Sequence, residues 1–288
     1  MIPKIIHYCW FGGNPLSDDV KKYIDTWKKY CPDYRIIEWN ESNFDVTENE
    51  YCHEAYIARK WAFVSDYARL KVLHEYGGFY LDSDVEVVRP LDDLRIYDAL
   101  SGYESKTHIP TGTMGACRDN EWISMLLEDY QDRHFKKQDG SYDQTTNVIV
   151  ISELTKKKYN IELNGEITKF GENMILLPFD YLCAKSFKTG EILRTPNTYT
   201  IHHFSGSWLS KDVREYNERY RKYYKKFFWI KPKGISYEEK TRFYIKKGVA
   251  ITNESSEYGI SAFLNYARYK HTGIYFEKCG KNIYEVMR

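Results

Sequence analysis

Apolar positions recur with two different periods along the first half of this chain. The run "PKIIHYCWF" is short, rich in Ile and aromatic residues, and closed by Gly12-Gly13-Asn14-Pro15, which predicts a buried strand ending in a loop. Ser17 then stands as an N-cap with Asp18 and Asp19 in the first turn. Val20, Ile24 and Trp27 follow at helical spacing until Cys31-Pro32-Asp33 stops the helix. "YRIIEW" reads as the next strand, so strand, helix and strand fall within about 40 residues, the opening of a nucleotide-binding α/β sheet.

From Glu54 to Tyr76, "EAYIARKWAFVSDYARLKVLHEY" predicts one long helix with little polar surface, ended by Gly77-Gly78. It sets Asp66 and Arg69 on one face. "FYLDSDVEVV" then predicts a strand that emerges from the core at its C-terminal end. A strand-like "TGTMGA", an amphipathic helix from Asn120 to Tyr130, a Gln/Thr/Asn turn entering "NVIVI", and "TYTIHHFSGSW" come later, with no internal repeat.

In a strand, side chains two apart share a side, so Asp82 and Asp84 are expected to face beyond the sheet edge while Ser83 points away. Two carboxylates that close repel, and one keeps its proton unless a positive charge lies between them. A divalent cation with oxygen ligands meets that need, and at the carboxyl end of a strand its natural partner is a diphosphate. The bland reading is a solvated hairpin tip; the buried "GGFYL" leading into the acids speaks for a site, because acids there are costly without a function. A haloacid-dehalogenase phosphatase would also use an apolar strand ending in Asp-x-Asp. It needs a Thr where this chain has Glu86, and it needs the motif on the first strand.

The overall charge of +1 gives no reason to expect nucleic acid as a partner, but it is unevenly spread. Lys211 to Lys247 holds thirteen Lys/Arg against five Asp/Glu, a basic end on an acidic body. The six cysteines are scattered without a C-x-x-C pair, which predicts free thiols in a reducing compartment. The N-terminus lacks a signal-peptide pattern and no apolar run approaches a membrane span, so a cytoplasmic protein is expected. The 17% aromatic content suits a carbohydrate-handling surface and an aromatic core equally.

Together "IPKIIHYCWFGG", "AFVSDYARLKVLHEYGGFYLDSDVEVVRPL" and "IHHFSGSW" resemble glycosyltransferase family 32. This is the DXD-containing group of capsule and cell-surface polysaccharide enzymes and fungal mannosyltransferases, distantly similar to the catalytic domains of glucosylating clostridial toxins. The resemblance covers roughly residues 1–210. It implies a GT-A fold, that is, a Rossmann-like mixed α/β sheet flanked by helices, as a catalytic domain over 1–210; residues 211–288, beyond the resemblance, are expected from their own pattern to be a basic, aromatic-rich helical C-terminal region. It also implies a nucleotide-sugar donor, Mn²⁺ or Mg²⁺, and transfer with retention of configuration.

Carried over residue by residue, the resemblance makes Asp84 the direct metal ligand and sets Asp82 against the ribose, the donor sugar and the metal's waters. Trp10 would lie against the nucleobase, although a Trp there is more commonly core. Asp66 and Arg69 would hydrogen-bond the donor sugar's hydroxyls; the competing reading is a buried helix ion pair. Tyr80 lines the pocket or simply packs. His202 and His203 point to opposite sides of an extended segment, and His202 matches the metal histidine of similar enzymes. Ser207, Trp208 and Lys211 would meet the diphosphate.

From Tyr216 to Phe228, aromatic residues recur on one helical face with Arg and Lys around them. Either this helix packs on the catalytic domain, or it leans on anionic lipid at the inner face of the cell membrane, near a lipid-linked acceptor. The expected activity is hexosyl transfer from a UDP-sugar to a saccharide or lipid-linked saccharide in surface polysaccharide synthesis. A nucleotide-sugar-binding protein without catalysis is the non-enzyme alternative, and "DQTTN", Asp143 to Asn147, is a guess for the acceptor loop.

Overall fold

The first apolar run forms strand β1 (Ile5–Cys9) and the following periodic stretch forms helix α1 (Asp18–Tyr30), where the Ser17 side chain accepts from the Val20 amide. β2 (Arg35–Trp39) completes the predicted unit, pairing parallel to β1. The computed structural model describes residues 1–187, 190–206, 243–246, 249–252, 275–280 and 283–287. The chain divides into two compact units, Met1–Trp208 and Leu209–Arg288.

The long helix expected from Glu54 to Tyr76 is in fact two. α2 (Glu50–Ile57), capped by the Asn49 side chain, stops at Ala58, and α3 (Trp61–Tyr76) restarts after Arg59 has turned to φ 55°. The physical reason lies in the core. Tyr51, Cys52 and Ala55 of α2 join the same apolar cluster as Phe63, Val64 and Tyr67 of α3, and the fold-back at Arg59 buries both stretches there. At the far end of α3, Gly77 has φ 61° and Gly78 φ 111°, and a Cβ on Gly78 would meet the Ile5 carbonyl at 2.7 Å, so both positions demand glycine.

After the glycines come β3 (Gly78–Leu81), β4 (Val85–Val87), β5 (Ala99–Gly102) and β6 (Thr113–Ala116). They are followed by α4 (Glu121–Glu128, capped by Asn120), α5 (Asn147–Tyr159), β7 (Thr168–Phe170), β8 (Met174–Leu177), α6 (Phe179–Leu182) and β9 (Thr200–His202). "NVIVI" is thus the first turns of a helix. Seven strands make one mixed sheet in the order β2-β1-β3-β6-β5-β8-β7, parallel across β2-β1-β3 and across β5-β8. β4 and β9 form a separate antiparallel pair.

Strand alternation divides the core between the two faces of the sheet. Phe79, Leu81, Leu100, Ile175 and Leu177 join one apolar cluster with α1, whereas Tyr80, Ala99, Met114 and Leu176 join the other with α2 and α3. This mixed sheet with helices on both faces is the architecture expected of a GT-A domain. The five described cysteines side chains are free thiols, and no described helix is long and apolar enough to cross a membrane.

In the second unit the described residues are two antiparallel hairpins, β10 (Phe243–Lys246) with β11 (Val249–Thr252) and β12 (Tyr275–Gly280) with β13 (Ile283–Met287). The described residues of the region expected to be helical, 211–288, are thus strands. The aromatic and basic helix over Tyr216–Phe228 lies outside the described residues.

Candidate active site

Asp82 and Asp84 do not continue a strand. β3 ends at Leu81, and Asp82-Ser83-Asp84 forms a turn closed by the Val85 amide donating to the Asp82 carbonyl at 2.9 Å. The change of direction is forced by pairing: β3 belongs to the seven-stranded sheet and β4 pairs with β9. The two carboxylates nevertheless converge. Both lie beyond the C-terminal end of a strand buried on every residue, where an α/β sheet opens its ligand crevice.

β9 supplies the third member. His202 Nε2 lies 3.2 Å from an Asp84 carboxylate oxygen and 3.8 Å from one of Asp82, and ligand atoms of all three residues fall within 4.8 Å of one another. His203 points away, with Nε2 2.8 Å from Glu86 and its ring stacked on Tyr23 at 4.6 Å. The Ser205 amide donates to the other Asp84 oxygen at 2.6 Å.

α3 contributes the pair three residues apart. Arg69 is 4% exposed. Its guanidinium reaches Asp66 at 3.0 Å, Asp82 at 3.3 Å and the Thr111 carbonyl at 2.8 Å, while Nε donates to the Ser65 carbonyl at 3.1 Å. One cation thus links the helix acid to the first acid of the turn. Below it lies Tyr80, 1% exposed, with the guanidinium 4.7 Å from its ring centroid. Of the two readings of Tyr80, that burial favours packing: the ring lies against Arg69 and supports it.

The charges explain the pKa directions. Burial alone would lift the Asp84 pKa, but His202 beside it and the Ser205 amide hold the carboxyl well below the usual carboxylate range. Burial would lower His202, yet Asp84 and Asp82 raise it well above the ordinary imidazole value. For Asp66 burial wins over Arg69, and its pKa rises to about 6. Asp66 and Asp82 share the Arg69 guanidinium while Asp84 faces His202, and the excess negative charge of the three acids is one that a divalent cation would relieve. The two carboxylates are oxygen donors that suit Mn²⁺ or Mg²⁺, and the imidazole beside them suits the transition metal better than Mg²⁺.

Trp10, just past β1, is half-buried with Nε1 donating to the Asn14 carbonyl at 2.6 Å, so part of its ring is reachable. "DQTTN" runs into α5, and the Asn147 side-chain amide is 3.5 Å from the Asp66 carbonyl, which brings that segment next to α3. Ser207, Trp208 and Lys211 lie outside the described residues. Several neighbours escaped the sequence reading. They are the Thr111–Gly112 backbone, Phe204 with its ring 4.2 Å from that of His202, and Glu104, a recessed carboxyl whose pKa is raised by burial while His202 opposes the rise. The glycine of "PTGT" just before a strand was the one available hint.

Residues 17–101 match the family model described as "Glycosyltransferase sugar-binding region containing DXD motif". Among curated proteins the chain is similar to inositol phosphoceramide mannosyltransferase 3 of Schizosaccharomyces pombe, 28% identical over 134 residues, 44% of this chain and 36% of that one. It is similar also to mannosyl phosphorylinositol ceramide synthase SUR1 of Saccharomyces cerevisiae, 24% identical over 58% of this chain and 46% of that one. The chain therefore spans well under two thirds of the length of these relatives. The solved PaToxG glycosyltransferase aligns at a TM-score of 0.41 and 21% identity, over 55% of this chain and 70% of that one. The matched stretch, residues 17–101, holds Asp66, Arg69, Asp82 and Asp84, so four of the side chains gathered at the end of β3 fall within the part of the chain that is similar to the DXD-containing glycosyltransferase region.

Proposed function

We propose that the protein is a metal-dependent, retaining hexosyltransferase that uses a nucleotide sugar and glycosylates a saccharide or lipid-linked saccharide. The observation that carries this reading is the convergence of Asp82, Asp84 and His202 within 4.8 Å at the end of β3, with Asp66 and Arg69 alongside. The phosphatase alternative loses its footing here, since the acids follow the third strand of the chain.

Asp84, His202 and Asp82 would hold Mn²⁺ or Mg²⁺, which when bound supplies charge stabilisation for a departing diphosphate. Asp82, already tied to Arg69, is placed to accept from ribose or sugar hydroxyls. Asp66 and Arg69 orient the hexose: the carboxylate accepts a hydrogen bond from a sugar hydroxyl and the guanidinium donates one to a sugar oxygen. Trp10 offers a flat face to the base. In the reaction an acceptor hydroxyl oxygen bonds to the anomeric carbon as the bond from that carbon to the diphosphate oxygen breaks. The hydroxyl proton passes to that departing oxygen.

The test is a panel of UDP-linked hexoses, which the sequence reading favours, together with a nucleotide-linked mannose, which the relatives' names add, each with and without Mn²⁺. Metal-dependent release of nucleoside diphosphate supports the reading. Binding without release would make the protein a sensor, and release of phosphate from sugar phosphates would overturn the assignment. A membrane-facing role for the basic segment remains part of the proposal and is read from vesicle binding at low salt.

A further inference from the structure

The His202 ring has an unusual support. Its Nδ1 is buried with no hydrogen bond of good geometry, and the buried Cys183 thiol, a weak donor that interacts with the ring, holds it too loosely to fix the imidazole's rotation. In metal-binding histidines the second ring nitrogen commonly has this task. Here two shape contacts occupy the place. The Phe204 ring stacks on the imidazole at 4.2 Å and 29°, and to reach it the Phe204 backbone takes φ 54°, a left-handed conformation unfavourable for a bulky side chain. Against the Cε1–Nδ1 bond lies Gly112. A Cβ on it would stand 2.8 Å from both of those atoms and 3.2 Å from the second Asp82 carboxylate oxygen.

The same loop grips the other members of the site. The Gly112 carbonyl accepts from the Asp82 amide at 2.8 Å, and its neighbour Thr111 accepts from Arg69 at 2.8 Å. Gly112 is not in the left-handed region, so backbone freedom is not what the position requires. What it requires is the absence of a side chain.

We propose that Gly112 and Phe204 are positioning residues that clamp the His202 imidazole over Asp82 and Asp84, supplementing by shape the weak contact that the ring has with the Cys183 thiol. This rests on the metal-site reading above. Gly112→Ala moves the ring, because the ring is the part that can give. Loss of the Phe204 ring frees its rotation.

The experiment is calorimetric titration of the full chain with Mn²⁺ alone, then with a nucleoside diphosphate present, for the native protein and for His202→Ala, Gly112→Ala, Phe204→Leu and Phe204→Tyr. A fall in Mn²⁺ affinity on the order of 10-fold or more is expected for Gly112→Ala and Phe204→Leu, the range found when groups behind a metal ligand are altered. Phe204→Tyr keeps the stack and is expected to restore affinity to within a factor of about 2 of native. Native affinity in folded Gly112→Ala, or equal losses in Phe204→Leu and Phe204→Tyr, overturns the clamp. If the native chain and His202→Ala bind Mn²⁺ alike, the metal reading itself fails and the clamp fails with it. Should Gly112→Ala not fold, the Phe204 pair decides the matter.

Discussion

The site is built from two arms that differ in how the chain delivers them. The α3–β3 arm carries Asp66, Arg69, Asp82 and Asp84 on one continuous helix, glycine turn and strand end. The other arm brings Thr111–Gly112 and His202–Ser205 from loops and a short strand far along the chain, through the β4–β9 pairing and contacts with Arg69, Asp82 and Asp84. On the first arm helical spacing sets Asp66 against Arg69 and the end of β3 brings the two acids beside them, all within one stretch of chain. On the second, nothing but long-range packing brings the residues together, and there backbone carbonyls and ring faces act as often as charged side chains.

The largest effect expected on the first arm is that of Asp84→Ala. Donor turnover should fall on the order of 10³-fold, and chelation of metal from the native protein should give a loss as large. Turnover unchanged in either experiment would break the assignment of that arm to catalysis.

Next comes Arg69→Met, which leaves Asp66 and Asp82 without their shared cation. Removing one partner of a buried ion pair costs about 3–5 kcal/mol, measured by denaturant unfolding. A loss under about 1 kcal/mol, in the range of exposed pairs, would show that the two acids are relieved from elsewhere, as by the second arm.

Asp66 gives a pH-dependent result. Its native pKa of about 6 stands above the ordinary carboxylate value of 3.8, so the folded state holds the proton more tightly than the unfolded one. The stability this contributes is fully present below pH of about 4 and is lost as pH rises through about 6. As pH rises across that window Asp66→Asn should gain stability relative to the native protein, by on the order of 3 kcal/mol in all once pH is above about 6, read from unfolding curves at successive pH values. Turnover that needs the ionised carboxylate should rise through the same window in the native enzyme. Asp66→Asn should cut turnover on the order of 10²-fold with little change in nucleotide affinity; equal losses in both would return Asp66 to a structural ion pair.

The smallest effect distinguishes neighbours on the second arm. His203→Ala removes the bond to Glu86 and the stack on Tyr23, which should cost about 1 kcal/mol of stability while Mn²⁺ affinity stays at the native value. His202→Ala should do the reverse. If both lower metal affinity alike, the strand alternation that separates the two histidines is not what decides their roles.

Much of the first arm was legible before the fold was known. Gly77-Gly78 ends α3 and Asp66 and Arg69 share one face, as Ser17 elsewhere caps α1, because caps, turns and helical spacing depend on residues a few positions apart. Less was visible where two apolar stretches ran together. The break at Arg59 has no Gly or Pro to announce it, since it arises from α2 and α3 burying against one core. Tyr80 read as a possible pocket residue because alternation tells which face a side chain takes, but not what covers that face.

The sequence by itself determined the mixed α/β architecture, the helix that holds Asp66 and Arg69, and two acids at the end of a buried strand; these follow from local spacing and apolar periodicity. Only the tertiary structure decided that the acids sit in a turn between two sheets, that Arg69 bridges Asp66 to Asp82, and that Gly112 and Phe204 hold His202. Those facts depend on contacts between residues distant in the chain, and such contacts leave no period in it.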